Sequence, residues 1–199
     1  MTEEQKQENE EKGKYAEVLF SNYLNNEKIP FCHIDQKKKM KSIAFCENKI
    51  QRPDFILFTK GDIAYADVKY RTKIQSSDSE EKRFYLYDHG IDRLSNFQTE
   101  FSVDVWLSFT DNLVTPEFKF VHLSLINNFL KELRGYVYKN YPEIIFLTFL
   151  RKCKQIPEKL LLDKLDFDKS FNKDLDPEFI KTEAEYHVKQ AYHLKGTQG

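Results

Sequence analysis

Three residues that could hold a metal ion beside a phosphate lie close together in the sequence. Asp54 opens a short segment rich in β-branched and aromatic residues, 54–59, and Asp67 and Lys69 lie in a second such segment, 63–70. A Lys-Gly-Asp sequence typical of a turn separates the segments, so the pattern predicts a β-hairpin. Carboxylates bind hard cations such as Mg²⁺, and a neighbouring ammonium group can stabilise charge on a phosphate.

The length of the turn decides whether these side chains share one face of the sheet. A two-residue turn through Lys60 and Gly61 places Asp54 beside Asp67, and the alternation of strand side chains adds Lys69 to the same face. Carboxylates directly opposite each other destabilise a sheet unless a cation compensates them, so this register predicts a divalent metal site. A three-residue turn would move Asp54 to the other face, unless a β-bulge intervened.

The same segments resemble a nuclease motif. Arg52-Pro-Asp-Phe-Ile-Leu-Phe58, followed by Ile63-Ala-Tyr-Ala-Asp-Val-Lys69, is similar to the pattern of the PD-(D/E)XK superfamily, which includes restriction endonucleases and Holliday-junction resolvases. The resemblance covers about the first half of the chain. An Asp-x-Lys triplet alone is common, and the two apolar strands, the turn length and the flanking helices make the match specific.

The resemblance implies a metal-dependent nuclease, with DNA as the expected substrate. Asp54 and Asp67 would bind Mg²⁺, for which Mn²⁺ can substitute, and the Val68 carbonyl would be a further ligand. Lys69 would stabilise charge in the hydrolysis of a phosphodiester by a metal-activated water. The alternative for these residues is a strand that begins after a proline and carries a weak surface charge pair.

A glutamate on the first predicted helix is a fourth candidate. Apolar residues at helical spacing predict a helix over residues 15–24, and Glu17 lies on its inward stripe, where Gly13 would permit close approach to the sheet. A carboxylate on an apolar stripe needs a partner. The resemblance gives such a glutamate a role as metal ligand or in orienting water; the alternative is an exposed helical residue.

A glutamine on the next predicted helix, residues 88–101, is a fifth candidate. Gln98 interrupts the apolar stripe of this helix, and the resemblance assigns a Gln or Tyr there to positioning the water or the substrate. Tyr87 and Arg93 are weaker candidates for the same role. The alternative for Gln98 is a buried amide whose hydrogen bonds are satisfied by the backbone.

The predicted fold is an α/β domain with a central mixed sheet flanked by helices. The order of helix, strand, hairpin, helix and strand is similar to the αβββαβ core of restriction-endonuclease-like proteins. We predict this domain over residues 1–152 and a more charged, helical C-terminal appendage over 153–199, with helices at 158–167 and 177–194.

The overall charge predicts that contact with nucleic acid depends on local patches. The chain has 31 Lys and Arg against 32 Asp and Glu, a formal net charge of −1, which gives no global attraction to a polyanion. Basic residues near the motif are candidates for phosphate contact, with a solvated surface as the alternative. These candidates are Lys37, Lys38, Lys39, Arg52, Arg71, Lys73 and Arg83.

Cysteine usage and hydropathy indicate a cytoplasmic protein. The three cysteines have neither the regular spacing of a disulfide framework nor that of a zinc site. The first fourteen residues lack the apolar stretch of a signal peptide, and no run elsewhere is long enough to span a bilayer, so we expect no membrane contact.

Two other functions are compatible with the sequence. One is a catalytically inactive module that retains the nuclease fold and binds nucleic acid or serves assembly. The other is a protein-interaction domain that works through its C-terminal helices, which are also the candidate surface for a homodimer or a partner protein.

Overall fold

The computed structural model describes residues 2–34, 49–71, 74–75, 82–86, 88–141, 154–168 and 174–196. Within these ranges the chain forms four α-helices and eight β-strands. The helices are α1 (Glu3–Asn26), α2 (Asp88–Phe101), α3 (Leu123–Asn140) and α4 (Pro177–Gly196). The strands are β1 (Phe31–His33), β2 (Phe55–Phe58), β3 (Ile63–Tyr70), β4 (Ile74–Gln75), β5 (Lys82–Leu86), β6 (Asp104–Thr110), β7 (Lys119–His122) and β8 (Lys154–Pro157).

A five-stranded mixed sheet forms the centre of the fold. Its strand order is β1-β2-β3-β6-β7; β3 and β6 run parallel, and the other neighbours are antiparallel. Helix α2 connects the parallel strands, which need such a crossover. A smaller antiparallel sheet has the order β4-β5-β8. The predicted α/β class, with a central mixed sheet flanked by helices, is confirmed.

Helices cover both faces of β3. On one face, Phe20 of α1 packs edge-on against Phe55, with ring centroids 5.1 Å apart, and the cluster includes Ala66 and Val68. On the other face, α2, α3 and α4 pack in a second cluster that includes Leu107 of β6. A strand covered on both faces reads as a continuous apolar run, which explains the sequence around Asp67.

The described part of the C-terminal segment packs into the same core as the predicted nuclease domain. Strand β8 pairs with β5, and Ile156, Phe179, Ile180 and Val188 are buried in the cluster that also holds α2 and α3. Among the residues placed in the structure, no helix is long and apolar enough to cross a membrane.

The helix predicted at residues 158–167 is wrong. A single 3₁₀ turn, Glu158–Leu160, follows β8, and the chain then extends. Leu162 exchanges two backbone hydrogen bonds with Phe120, N to O at 2.8 and 2.7 Å, so pairing with β7 replaces the helical hydrogen bonds. The apolar spacing of this segment therefore reflects burial rather than helical periodicity.

A buried ion pair attaches α4 to the small sheet. Arg83 Nη1 lies 2.5 Å from Glu183 Oε2, Nη2 lies 3.0 Å from Oε1, and the two side chains are 4% and 2% exposed. The guanidinium carbon also lies 4.0 Å from the centre of the Tyr186 ring. Beside it, burial and the Arg83 charge lower the pKa of His187 to about 3, so this histidine stays neutral.

Glu183→Gln should destabilise the protein by about 3 kcal/mol, because it leaves the buried Arg83 guanidinium without a counterion. Denaturant unfolding followed by circular dichroism measures the change. Glu178→Gln is the matched control, because Glu178 lies on the same helix in an exposed pair with Lys181 at 3.0 Å. Equal loss in both variants would contradict a special contribution from the buried pair.

Candidate active site

The hairpin has the register that a two-residue turn requires. Phe58 pairs with Ile63 and Ile56 pairs with Tyr65, as predicted. Gly61 in the turn has φ of 107°, a conformation that side chains rarely adopt, which explains the glycine there. The predicted register is therefore confirmed from Phe58 to Phe55, whereas the predicted pair of Asp54 with Asp67 is not part of this ladder.

Asp54 lies just beyond the last regular pair. Phe55 is the ladder partner of Ala66, and the amide of Asp54 donates to the Ala66 carbonyl at 3.0 Å. Two consecutive residues of one strand thus oppose one residue of the other, as in a β-bulge, a feature that re-aims side chains. The Asp54 carboxylate accepts a hydrogen bond from the Val68 amide, with Oδ2 2.8 Å from N, and so lies against the backbone that follows Asp67.

Asp67 and Lys69 form an ion pair on the face of β3 that α2 covers. The Asp67 side chain is fully buried, its Oδ2 lies against Lys69 Nζ, and its Oδ1 accepts from Gln51 Nε2 at 3.2 Å. The Lys69 side chain is 17% exposed, so its ammonium group lies between the buried carboxylate and solvent. Gln51 was not predicted, because a polar residue before the motif carries no signal of its own.

The surroundings of Asp54 oppose the ionisation of its carboxyl group. Burial raises the pKa of Asp54 well above its usual range, and the negative charge of Asp67 raises it further. The Lys69 charge and the Val68 amide lower it, while the Glu17 carboxylate adds a smaller effect in the raising direction. When both carboxylates are ionised, the site holds more negative charge than Lys69 neutralises, which is the condition that a bound divalent cation would relieve.

Asp54→Asn should stabilise the metal-free protein at alkaline pH. The raised pKa means that the folded state retains a proton that the unfolded state releases above pH ~4, so wild type loses stability as pH rises through the folded-state pKa. Asparagine cannot ionise and can still accept from Val68. We expect a gain of at least ~1 kcal/mol at pH 8, or about 2–4 °C in midpoint, shrinking toward pH 4.

Thermal unfolding in the presence of chelator, at several pH values, checks this expectation. Asp62→Asn is the control, because Asp62 is an exposed aspartate of the same hairpin. A stability difference for Asp54→Asn that stays constant from pH 4 to pH 8 would mean that Asp54 ionises without cost, and that the two carboxylates do not interact.

Glu17 and His33 form a pair close to Asp54. His33 Nε2 lies 2.8 Å from Glu17 Oε2, and the imidazole stacks on Phe55 with centroids 4.7 Å apart. His33 was not predicted, although its position opposite Phe55 in β1 is the signal that could have identified it. The expectation of close approach at Gly13 is wrong, since a Cβ there would meet nothing within 4 Å.

Gln98 has a structural set of partners. Its Nε2 donates to Ser124 Oγ at 2.7 Å, and its Oε1 accepts from the Val105 amide at 3.3 Å. Val105 pairs with Tyr65, two residues before Asp67 on β3. The structure therefore places Gln98 where α2 meets the beginning of β6 and α3, and does not bring it to the Asp67–Lys69 pair.

Another residue of α2 reaches the site. A cleft of about 190 Å³ opens beside Lys69, with Gln51, Arg71 and Arg93 as its other polar lining residues. Its remaining lining consists of Leu86, Gly90, Ile91, Leu94 and Leu107. Arg93 thus occupies the place on the helix that the sequence assigned to Gln98, while Tyr87 lies outside the described residues.

The predicted phosphate contacts divide into three groups. Lys37, Lys38, Lys39 and Lys73 lie outside the described residues. Arg71 lines the cleft beside Lys69, and Arg52 is half-buried immediately before the motif. The prediction that Arg83 contacts phosphate is wrong. Its guanidinium is buried against Glu183 and does not lie on a surface that nucleic acid could reach.

The described residues contain no cluster of three or more His, Cys, Asp or Glu side chains that could hold a metal ion. The carboxylates that meet at the motif are Asp54 and Asp67, and one or two carboxylates completed by water and substrate phosphate are the usual protein ligands of Mg²⁺. The residues present therefore fit Mg²⁺ better than a metal that needs a complete cage of side chains.

A comparison with solved structures gives a partial likeness. The chain is similar to Hjc of Archaeoglobus fulgidus, a Holliday junction resolvase from an archaeal hyperthermophile, with a TM-score of 0.40 and 13% sequence identity. The likeness covers 57% of this chain and 75% of that chain. No family model matches the sequence, and no curated protein matches it.

Proposed function

We propose that this chain is a metal-dependent nuclease that hydrolyses phosphodiester bonds, with DNA as its expected substrate. The supporting observations are that the Asp54 carboxylate accepts from the Val68 amide and interacts electrostatically with Asp67, and that Asp67 pairs with Lys69, at residues with the spacing of the PD-(D/E)XK motif. A buried, mutually repelling carboxylate pair beside a lysine has no evident structural purpose, since apolar residues would pack there at lower cost.

The protein groups divide the task of hydrolysis among them. Asp54 and Asp67, with the Val68 carbonyl as a further ligand, would hold Mg²⁺. When bound, Mg²⁺ lowers the pKa of a coordinated water and places a positive charge next to the phosphate. Lys69 directs its ammonium group to the solvent side of Asp67, where it can donate to a phosphate oxygen as charge develops.

Glu17 assists from the other face of the sheet. Its carboxylate is held by His33 Nε2 at 2.8 Å, and its charge acts on Asp54, so it lies near the bulge without belonging to the buried pair. We assign it the orientation of water next to Asp54. The paired imidazole limits the rotation of the carboxylate, because His33 is itself stacked on Phe55.

The described contacts favour catalysis over interaction through the C-terminal helices. The apolar side chains of α4, among them Phe179, Ile180, Ala184 and Val188, are buried in the chain's own core. They are therefore not available as a docking surface in the folded protein.

A substrate panel tests the proposal. We expect single-stranded, duplex or branched DNA, or RNA, to be cleaved with Mg²⁺ or Mn²⁺ and not with chelator. Asp67→Asn and Lys69→Ala should each lose at least ~100-fold in rate, because each removes a group that holds the metal or stabilises charge. Gel electrophoresis of labelled oligonucleotides measures cleavage.

Lys60→Ala is the matched control, since it removes an exposed lysine from the turn of the same hairpin. Its cleavage rate should equal that of wild type. Cleavage that persists in both site variants, or that continues in chelator, would reject the assignment. Binding of nucleic acid without cleavage by any preparation would favour the inactive binding module instead.

A further inference from the structure

We propose that the cleft beside Lys69 binds a backbone phosphate that neighbours the scissile phosphate, and that Arg93 and Arg71 are its cationic contacts. The inference rests on the proposed nuclease function, because it takes the phosphate at Asp67 and Lys69 as the scissile one. It adds a residue of α2, Arg93, to the substrate-binding surface and gives the substrate a path across the site.

The cleft and the carboxylate site share a wall. Gln51 and Lys69 line the cleft, and both also contact Asp67. Gln51 Nε2 donates to Asp67 Oδ1 at 3.2 Å, and Lys69 Nζ pairs with Asp67 Oδ2. The backbone N–H of Gln51 donates to the backbone carbonyl of Arg93 at 3.2 Å. This bond attaches α2 to the segment that precedes Asp54. A phosphodiester chain that passes Lys69 would therefore enter the cleft next.

Arg71 is held in place by the sheet. It is two residues beyond Lys69, and its amide donates to the Thr110 carbonyl at 3.0 Å. Its Nη1 donates to the Tyr70 carbonyl at 2.7 Å, and the residue is half-buried. A guanidinium that is already oriented loses less entropy when it binds a ligand, which favours a recognition site over a solvated surface charge.

Arg93 complements Arg71 from the helix. It is exposed on α2, and it lines the cleft together with Ile91 and Leu94 of the same helix. A planar guanidinium can give two parallel hydrogen bonds to a phosphate. The apolar residues beneath it reduce contact with water, and that strengthens any charge-assisted hydrogen bond formed in the cleft.

The lining and the size of the cleft indicate the chemistry of the ligand. Its charged lining residues are Lys69, Arg71 and Arg93, with no carboxylate among them, which selects an anion. Its volume of about 190 Å³ lies below the roughly 300–1,000 Å³ of small-molecule sites. The cleft therefore suits one group of a longer molecule, such as a phosphate of a nucleic-acid strand.

Another hollow, larger than this cleft, has the opposite character. It measures about 540 Å³ and lies at the turn end of the hairpin, where its charged lining residues are Asp62 and Asp104. Ile63 in its wall is four residues before Asp67, or about 13 Å along an extended strand. Phosphate would be repelled there, so the smaller cleft is the one that fits the proposed substrate.

Arg93→Gln tests the subsite. We expect the variant to fold, because Arg93 is exposed and glutamine is compatible with a helix. Fluorescence anisotropy in chelator gives Kd for a labelled oligonucleotide at several salt concentrations, and cleavage in Mg²⁺ gives kcat and KM. We expect Kd and KM to rise about 5- to 10-fold with kcat within about twofold. The slope of log K against log salt should fall by about 1.

Two further variants define the effect. Arg93→Lys keeps the charge and should restore the salt slope while recovering only part of the affinity, because lysine lacks the paired donors of arginine. Lys60→Gln removes one cation at the far end of β3 and should leave Kd, KM and kcat unchanged. Arg71→Gln should resemble Arg93→Gln.

The outcomes separate this inference from the proposed function. Wild-type Kd and salt slope in Arg93→Gln would overturn the subsite even if the protein cleaves DNA. A fall in kcat with unchanged Kd would also overturn it, because Arg93 would then act in the reaction. Weakened binding by Arg93→Gln in a protein that never cleaves would support the subsite and reject the nuclease. Failure of wild type to bind any oligonucleotide would overturn both.

Discussion

The burial of Asp54 and Asp67 against one another is the constraint on which the rest of the site depends. Each carboxylate is removed from water, and Lys69 neutralises only one negative charge. The fold limits the separation of the pair, because β3 is covered by helices on both faces, pairs with β2 as far as Ala66 and pairs with β6 from Ala64 to Tyr70. A second negative charge on this pair therefore costs stability unless a proton or a cation compensates it.

Local rules made the hairpin and the order of elements predictable. The turn fixes the register of β2 on β3 from Phe58 to Phe55, so this part of the hairpin follows from residues close in the sequence. The mixed sheet follows equally, because an apolar strand after a helix pairs parallel with the strand before it. The bulge at Asp54 was anticipated only as an alternative, since its cause lies in the backbone rather than in the side-chain pattern.

Distant pairing could not be predicted in the same way. Arg83 meets Glu183 a hundred positions later, and no spacing rule predicts such a partner, so it was assigned to a surface. The apolar stripe on α2 predicted which face of the helix points inward. It could not predict which residue of that face lies beside Asp67, and Gln98 lies at the other end of the helix, next to Val105. The sequence analysis predicted the first helix only from residue 15, because the polar composition before it shows no apolar stripe. The capping box at Thr2 is the sequence signal that marks the start of α1 at Glu3.

The distribution of charge explains how a nearly neutral chain could select a polyanion. With a net charge of −1, the surface as a whole gives no long-range attraction, and acidic residues line the larger hollow at the turn end. Among the described residues, Lys69, Arg71 and Arg93 are the cations that line the cleft, where attraction to a phosphate would also position it. Under the proposed function, discrimination between substrates would depend on whether consecutive phosphates can reach both the carboxylate pair and the arginine cleft.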